Sequence, residues 1–533
     1  MRVWRTMGVL GVTAGLLLAG LSGPASAAPA QSEQQSNQQS DQQRCAPSTT
    51  TPLRQFRASW ISSVVNIDWP SKTGLSAAQQ QAELVGWLDD AVRQHHNAVV
   101  LQVRPTADAF WPSKVEPWSQ YLTGHQGGDP GYDPLKFAVA EAHKRNLELH
   151  AWFNPYRLSM GTDLNALVPT HPARQHPDWV VSYGGKLYYN PGIPAARKLV
   201  EDAIMDAVAN YDIDGVHFDD YFYPYPVAGQ TFDDAATFAQ YGDGFTDLQA
   251  WRRHNIDLLI HELSEKMHAI KPWIKFGISP FAVWRNKATD PEGTDTTAGV
   301  QTYDDLAADT RKWVRDEWID YIVPQVYWAG GFAPADYNKI VPWWADQVRG
   351  THVHLYIGEA TYKVGTSTQS PDWADPKELS DHLAFDSTIP EVQGNIYFSA
   401  KDVRADRLGA TTLLNDTWYT RPALIPAMPA LDSRAPLPAH AVHASRTANG
   451  VQVKWSRTSK DTTSYAIYRR ELTGGDHCPD NDARNLIATV RSTGAAQSFL
   501  DTTATPGTAY LYSVTALDRL ANQSVAIPAV SLR

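Results

Sequence analysis

DGVHFDDYFYP, residues Asp214–Pro224, is the stretch whose reading decides the fold. An apolar run climbs from Tyr211 to Phe218, two adjacent acids follow, and a loop rich in Tyr, Phe and Pro begins. In a strand, side chains alternate between faces, so Gly215, His217 and Asp219 share one face, while Asp214, Val216, Phe218 and Asp220 share the other. A strand that delivers an acid into an aromatic loop suits the catalytic end of a (β/α)8 barrel. An Asp-Asp turn closing an ordinary strand looks the same locally, so the flanking sequence has to decide.

Eight short, β-prone apolar runs recur along the chain: Phe56–Ile61, Ala98–Val103, Glu148–Phe153, Gly215–Asp219, Lys275–Ser279, Tyr321–Val326, His354–Gly358 and Gly394–Phe398. Helical patterns fall between them. Ser76–His96 carries Leu84, Leu88 and Val92 at helical spacing, and Pro194–Tyr211 carries Val200, Ile204 and Val208. Leu248–Ile270, Tyr303–Arg315, Ala335–Arg349, Pro376–Phe385 and Ala400–Leu414 complete the alternation. Strands alternating with helices predict parallel pairing and right-handed crossovers. Eight such units predict a (β/α)8 TIM barrel, an α/β fold. Its long loops follow the second, third and fourth strands, where a substrate cleft would be built.

The ends of the chain differ in character. Arg2 and Arg5, the apolar segment Gly8–Leu21 and Ala25-Ser26-Ala27 form the pattern of a secretory signal peptide over residues 1–27. Its apolar segment is too short for a comfortable membrane span. No cysteine follows it, so a lipid anchor is not expected and the protein is expected to be secreted, extracellular or cell-wall associated. Residues 28–50 contain the low-complexity run Gln31–Gln43 and read as a polar tether. The barrel is assigned to 51–420 and a Pro-rich, semi-rigid linker to 421–440. Short alternating runs over 441–533 predict a small all-β sandwich, with Val451, Val453 and Trp455 on one buried face and Tyr510, Tyr512 and Val514 on another. Cys45 and Cys478 are the two cysteines; they could pair or stay free.

A formal net charge of −11 argues against a nucleic-acid partner. The 19 Trp and 23 Tyr lean towards carbohydrate, whose ring C–H groups stack on aromatic faces. No C-x-x-C or H-E-x-x-H spacing occurs, so no metal site and no cofactor are expected. The strand ends are instead polar. The second carries Gln102 and Arg104 with Asp108 beyond, and the third Asn154, Tyr156 and Arg157. Gln325 and Tyr327 end the sixth, and Glu359 the seventh. Polar groups at so many barrel-strand ends point to one pocket. Carboxylates with flanking aromatics are the equipment of glycoside hydrolysis. Asp219 is the first candidate by strand parity; Asp220 either works with it or holds a neighbouring Arg or Tyr.

The motifs FRASWISSVVNIDWPS, VRPTADAFWPSKVEPWSQYLTG, HAWFNPYR, DGVHFDDYFYP, ISPFAVWRN and VPQVYW, in this order over Arg54–Leu414, resemble the bacterial glycosyl hydrolase-like 10 family. Its members include a cell-division-associated hydrolase that cuts peptidoglycan strands stripped of their stem peptides. The resemblance implies a barrel and glycosidase activity. It maps Arg104, Asp108, Glu116, Asn154, Arg157, Asp219, Asp220, Gln325 and Tyr327 to the site, and weakens Glu359 as an acid. The tail from Ala441 resembles a fibronectin type III domain.

Asp219 is expected to be held ionised by Arg104 and to serve as nucleophile or base, with His217 one layer beneath it. Glu116, flanked by Val115, Pro117 and Trp118, is expected to be the acid with a raised pKa. Trp118, Tyr221, Tyr223 and Trp328 are expected to line the cleft. The partner is expected to be a polysaccharide, bound by a monomer with no stable membrane insertion. Hydrolysis of another extracellular polysaccharide, or a barrel that binds carbohydrate without cutting it, are the alternatives.

Overall fold

The computed structural model describes residues 52–472 and 482–531. The signal and tether stretches, Cys45 and Cys478 lie outside the described residues. Eight parallel strands close a barrel: β1 (Phe56–Ile61), β2 (Ala98–Arg104), β3 (Glu148–Phe153), β4 (Gly215–Phe218), β5 (Lys275–Ile278), β6 (Tyr321–Ile322), β7 (His354–Glu359) and β8 (Val392–Tyr397). Each pairs with its sequence neighbour, and β1 closes on β8 with Phe56 opposite Gly394. Every expected run forms a strand. The sixth is cut short at Ile322 because Pro324 has no N–H for the ladder; Gln325 rejoins through single bridges to Phe281 and Gly358.

The principal helices are α1 (Ala77–Arg93), α2 (Pro134–Lys144), α3 (Pro194–Asn210), α4 (Leu248–Ile270), α5 (Thr310–Arg315), α6 (Tyr337–Val348), α7 (Glu378–Asp386) and α8 (Ala410–Thr417). Their starts are chemically marked. Ser76 and Gln79 form a reciprocal cap on α1, and Asp247 accepts from Gln249 and Ala250 N–H groups at the start of α4. The sequence reading lacks α2, although Asp133 followed by Pro134 is a start signal. The stretch Tyr303–Arg315 breaks in two, with Ala307 at φ 50° between Thr302–Asp305 and α5.

Leu84 and Leu88 of α1 and Val200 and Ile204 of α3 bury their apolar stripes against the outer face of the barrel. Inside the barrel the core is aromatic. Phe56 stacks on Tyr356 at 4.4 Å between ring centres, and Trp60, Trp152 and Tyr321 fill the same space. Glycine makes room for these rings. A Cβ on Gly277 would lie 2.0 Å from the Tyr321 ring, and one on Gly215 would lie 2.6 Å from His150. The long segments after β2, β3 and β4 are present as expected, and the one after β3 holds a small antiparallel sheet of Arg157–Ser159, Lys186–Tyr189 and Val180–Tyr183. A further long segment, 279–309, follows β5.

Beyond the barrel, β9 (His440–Thr447), β10 (Gly450–Ser456) and β13 (Ala496–Asp501) form one antiparallel sheet. The other contains β11 (Ser464–Glu471), β12 (Leu486–Arg491), β14 (Tyr510–Leu517) and β15 (Ile527–Ser531). Val451, Val453 and Trp455 meet Tyr465, Ile467, Tyr512 and Val514 between the sheets, the arrangement of a β-sandwich.

The linker reading needs correction. Ala423, Leu424 and Met428 are buried. Leu424 exchanges backbone hydrogen bonds with Leu53 and Gln55, and Asn97 binds the carbonyl of Ala423. Leu424 and Leu53 pack on Ala466, Tyr468 and Leu517, so this sandwich sheet is buried on both faces. Arg519 donates to Asp212 and to Asp214, which precedes β4, and lies over the ring of Trp273, which precedes β5. The sandwich therefore packs against the N-terminal end of the barrel, away from the strand ends that carry the candidate site. Among the described residues no helix is long and apolar enough to cross a membrane.

Candidate active site

A cavity of about 230 Å³ opens at the C-terminal ends of the strands. Trp60, Ser62, Val64 and Ile67 come from β1 and its loop, Gln102 from β2, and Trp152 and Arg157 from β3 and beyond. Asp219, Asp220 and Tyr221 follow β4, Ser279 follows β5, Gln325 and Tyr327 follow β6, and Phe398 follows β8. A larger groove of about 970 Å³ lies at the other end of the molecule, between residues 431–437 and the sandwich. No C-terminal strand end of the barrel contributes to its walls.

Asp219 is 5% exposed. It accepts hydrogen bonds from the Nδ2 of Asn154 and, at 3.1 Å, from the backbone N–H of Tyr221. Burial pushes its carboxyl up to about 7, and the neighbouring charge of Asp220 adds to this; Arg157 and the two hydrogen bonds oppose it. Asp220, also buried, accepts from the hydroxyl of Tyr225 and is hydrogen-bonded by Gln325. Its pKa is raised too, by burial, against those donors. Two buried acids side by side share less than their full charge at neutral pH.

The orientation of Asn154 is set by its neighbour. The Gln102 Oε1 accepts from the Ser62 hydroxyl at 3.0 Å and from the Ser63 and Val64 N–H groups at 2.9 and 2.8 Å. Its Nε2 must then face outwards, and it donates to Asn154 Oδ1 at 2.6 Å. Only the Nδ2 of Asn154 remains for Asp219.

Arg104 lies elsewhere than expected. Its guanidinium meets Glu116 in a two-point ion pair, Nε to Oε2 at 2.7 Å and Nη2 to Oε1 at 2.5 Å, with both side chains fully buried. The expectation that Arg104 keeps Asp219 ionised is corrected: the cation facing Asp219 is Arg157. The expectation that Glu116 is an acid in an apolar setting is corrected by the same pair, and Glu116 lies outside the cavity lining. Asp108 is likewise buried behind the loop after β2, pushed up to about 7 by burial.

Arg157 donates Nε to the Pro105 carbonyl at 3.0 Å and stacks over Tyr221 at 5.1 Å, while its buried Nη2 has no partner among the described residues. His217 does sit beneath the acids. Trp60 Nε1 donates to its Nε2 at 3.1 Å, which places the proton on Nδ1, facing the Tyr321 hydroxyl at 3.1 Å. Burial holds this imidazole well below its ordinary pKa, so it is a neutral spacer.

The aromatic expectations divide. Tyr221 lines the cavity. Tyr223 is buried in the core, edge-on to Phe232 at 5.2 Å and covered by Arg252. Tyr156 is fully buried in the same core. Trp118 packs against the outer core and Trp328 lies edge-on to Phe281; neither lines the cavity. Tyr327 lines it alongside Tyr221, and the remaining rings of the lining are Trp60, Trp152 and Phe398, which sequence reasoning missed together with Tyr225. Trp60 and Trp152 fall inside apolar strands, where nothing local separates a core ring from a cavity floor. Among the described residues no group of three His, Cys, Asp or Glu could hold a metal ion.

The sequence profile of the glycosyl hydrolase-like 10 family matches residues 55–375. The glycosyl hydrolase YngK of Bacillus subtilis (strain 168) is 50% identical over 480 residues, covering 89% of this chain and 92% of that one. The glycosyl hydrolase DigH of Escherichia coli (strain K12) is 41% identical over 374 residues, covering 66% of this chain and 84% of that one.

Proposed function

This chain belongs to the glycosyl hydrolase-like 10 family and is a glycoside hydrolase; we propose that it is exported and cuts the glycan strands of bacterial cell wall stripped of their stem peptides. The observation that carries the reading is the pair Asp219 and Asp220, two buried carboxyl groups in a cavity floored by Trp60, Trp152 and Phe398. Cleaving a glycosidic bond needs a proton for the leaving oxygen at a pH where water supplies almost none. An acid near pKa 7 is suited to give it, and Asp219 has that value. The flat apolar walls suit the C–H faces of a sugar ring.

Two features favour a stripped cell-wall strand as the substrate. The family resemblance includes a hydrolase of such strands. Removing the peptide also uncovers the lactyl carboxylate of the muramic ring, and Arg157, the one cation among the described residues that line the cavity, has a buried Nη2 with no partner among them. Export is supported by the basic, apolar and small-residue pattern of residues 1–27.

The test is release of reducing ends by the purified protein from stripped strands, intact sacculi, chitin and xylan, each with the Asp219→Asn variant as control. Cleavage of stripped strands well above the other polymers is the expected result. Preference for xylan, or equal cutting of peptide-bearing sacculi, would defeat the substrate assignment.

A further inference from the structure

Among the described residues that line the cavity, Asp219 and Asp220 are the only carboxylates. Both follow β4, so both reach a bound sugar from one wall. The barrel order puts β8 and β1 across from β4. The wall they supply is Trp60, Val64, Ile67 and Phe398, with Ser62 beside them. Glu116 is enclosed by Arg104, and Glu359 by Tyr337, His382 and Asn395. Retaining and inverting schemes based on two enzyme carboxylates need them on opposite sides of the bond. One protonates the leaving oxygen, and the other attacks the sugar or activates water from the far face. This cavity supplies the first and lacks the second.

We propose that the substrate carries the missing nucleophile: the carbonyl oxygen of the 2-acetamido group attacks the anomeric carbon of its own ring, while Asp219 protonates the leaving oxygen and Asp220 holds the acetamido N–H. The inference rests on the reading of the substrate as a cell-wall glycan, whose alternating sugars both bear that group. In the first step a bond forms between the amide oxygen and C1 as the glycosidic C1–O bond breaks. The electron pair leaves with the glycosidic oxygen, and the Asp219 proton completes the new hydroxyl. Positive charge spreads over the resulting five-membered oxazolinium ring, whose N–H faces the Asp220 carboxylate. In the second step water adds to C1 and returns a proton to Asp219, and the ring C1–O bond breaks to restore the amide. One water is consumed. C1 is inverted twice, so its configuration is retained.

The surroundings fit these roles. Asp219, pushed up by burial and by its neighbour, keeps a proton to give near neutral pH. Asp220 receives the Tyr225 hydroxyl and a hydrogen bond from Gln325, itself fixed by donating Nε2 to the Ser279 carbonyl at 2.7 Å. Donors of this kind favour the charged form that a cationic ring requires. The indole N–H of Trp152, buried in the cavity wall without a partner, is a free donor for a sugar hydroxyl.

The experiment uses the full chain on stripped strands that are N-acetylated, chemically de-N-acetylated, or de-N-acetylated and then re-acetylated. The anomer formed first is read by proton NMR. The expected results are a retained anomer, a rate at least ~100-fold lower on the de-N-acetylated strands, recovery on re-acetylation, and competitive inhibition by a thiazoline mimic of the oxazolinium ring. Asp220→Asn should lose at least ~100-fold on strands and on an N-acetylated aryl glycoside alike. Asp219→Asn should keep more activity on the aryl glycoside, whose leaving group needs no proton. An inverted anomer, equal rates with and without the acetyl group, or a covalent glycosyl-enzyme seen by intact-protein mass spectrometry would overturn the inference and leave the glycosidase intact. Absence of cleavage on every strand would overturn the substrate reading and this inference together.

Discussion

Asn154 presents the N–H end of its carboxamide to Asp219 because Gln102 occupies the other end. The chain of amides begins at the backbone after β1, where Ser63 and Val64 fix the Gln102 oxygen. A donor thus reaches one of the two buried acids of the cavity.

Removing that donor should move the pH profile in a known direction. The Asn154 hydrogen bond favours ionised Asp219, so it lowers a pKa that burial has raised to about 7. In Asn154→Ala the pKa rises further and the protonated acid survives to higher pH. A hydrogen bond to a charged group is worth about 1.5–3 kcal/mol, or about 1–2 pH units. The alkaline limb of kcat/KM should shift upwards by that amount; a downward shift would show that Asp219 works in its charged form.

Tyr225→Phe probes the other acid. The tyrosine hydroxyl stabilises ionised Asp220, so its loss raises that pKa and should move the acid limb of the profile to higher pH, narrowing the active range. The thermal midpoint should change little by comparison. A lost alkaline limb would reverse the roles of the two acids.

Glu116 should behave as a structural residue. Breaking a fully buried ion pair by removing one partner costs about 3–5 kcal/mol, so Glu116→Ala should show that loss in urea unfolding. The protein that remains folded should keep the alkaline limb of the wild type. A flattened limb at full stability would restore Glu116 as the acid.

Arg519→Ala should weaken the molecule at its opposite end. Burial alone would raise the Asp214 pKa, but His143, Arg519 and the Leu149 N–H hold it far below the usual carboxylate range. A carboxyl with a depressed folded pKa stabilises the fold above its unfolded value, near 4, and loses that contribution as pH falls. Loss of Arg519 should therefore cost about 1.5–3 kcal/mol at pH 7 and progressively less below pH 4. A difference independent of pH would assign the effect to lost packing on Trp273.

The barrel was legible because its strands are buried on both faces and read as apolar runs, and its helices carry regular stripes. Asp219 and Asp220 were legible because acids are conspicuous at the end of such a run. The pairing of Arg104 with Glu116 was not. It joins a strand end to a loop twelve positions on, and nothing in local spacing says whether a cation will turn towards the cavity or the loop. Tyr223 misled for a related reason. One aromatic loop supplies Tyr221 to the cavity and Tyr223 to the core, and a loop has no fixed period from which to tell them apart. The Pro-rich stretch 421–440 suggested a spacer by composition, yet Leu424 and Met428 are anchored by partners remote in sequence.

The placement of the sandwich has a consequence for how such a protein can be attached to a support. Its sheets lie against the end where Asp212 and Asp214 bind Arg519, so anything that grips the sandwich presents the mouth of the cavity outwards. A surface, a label or a second module attached there leaves the approach to Asp219 unobstructed, and the enzyme can be immobilised without being blindfolded.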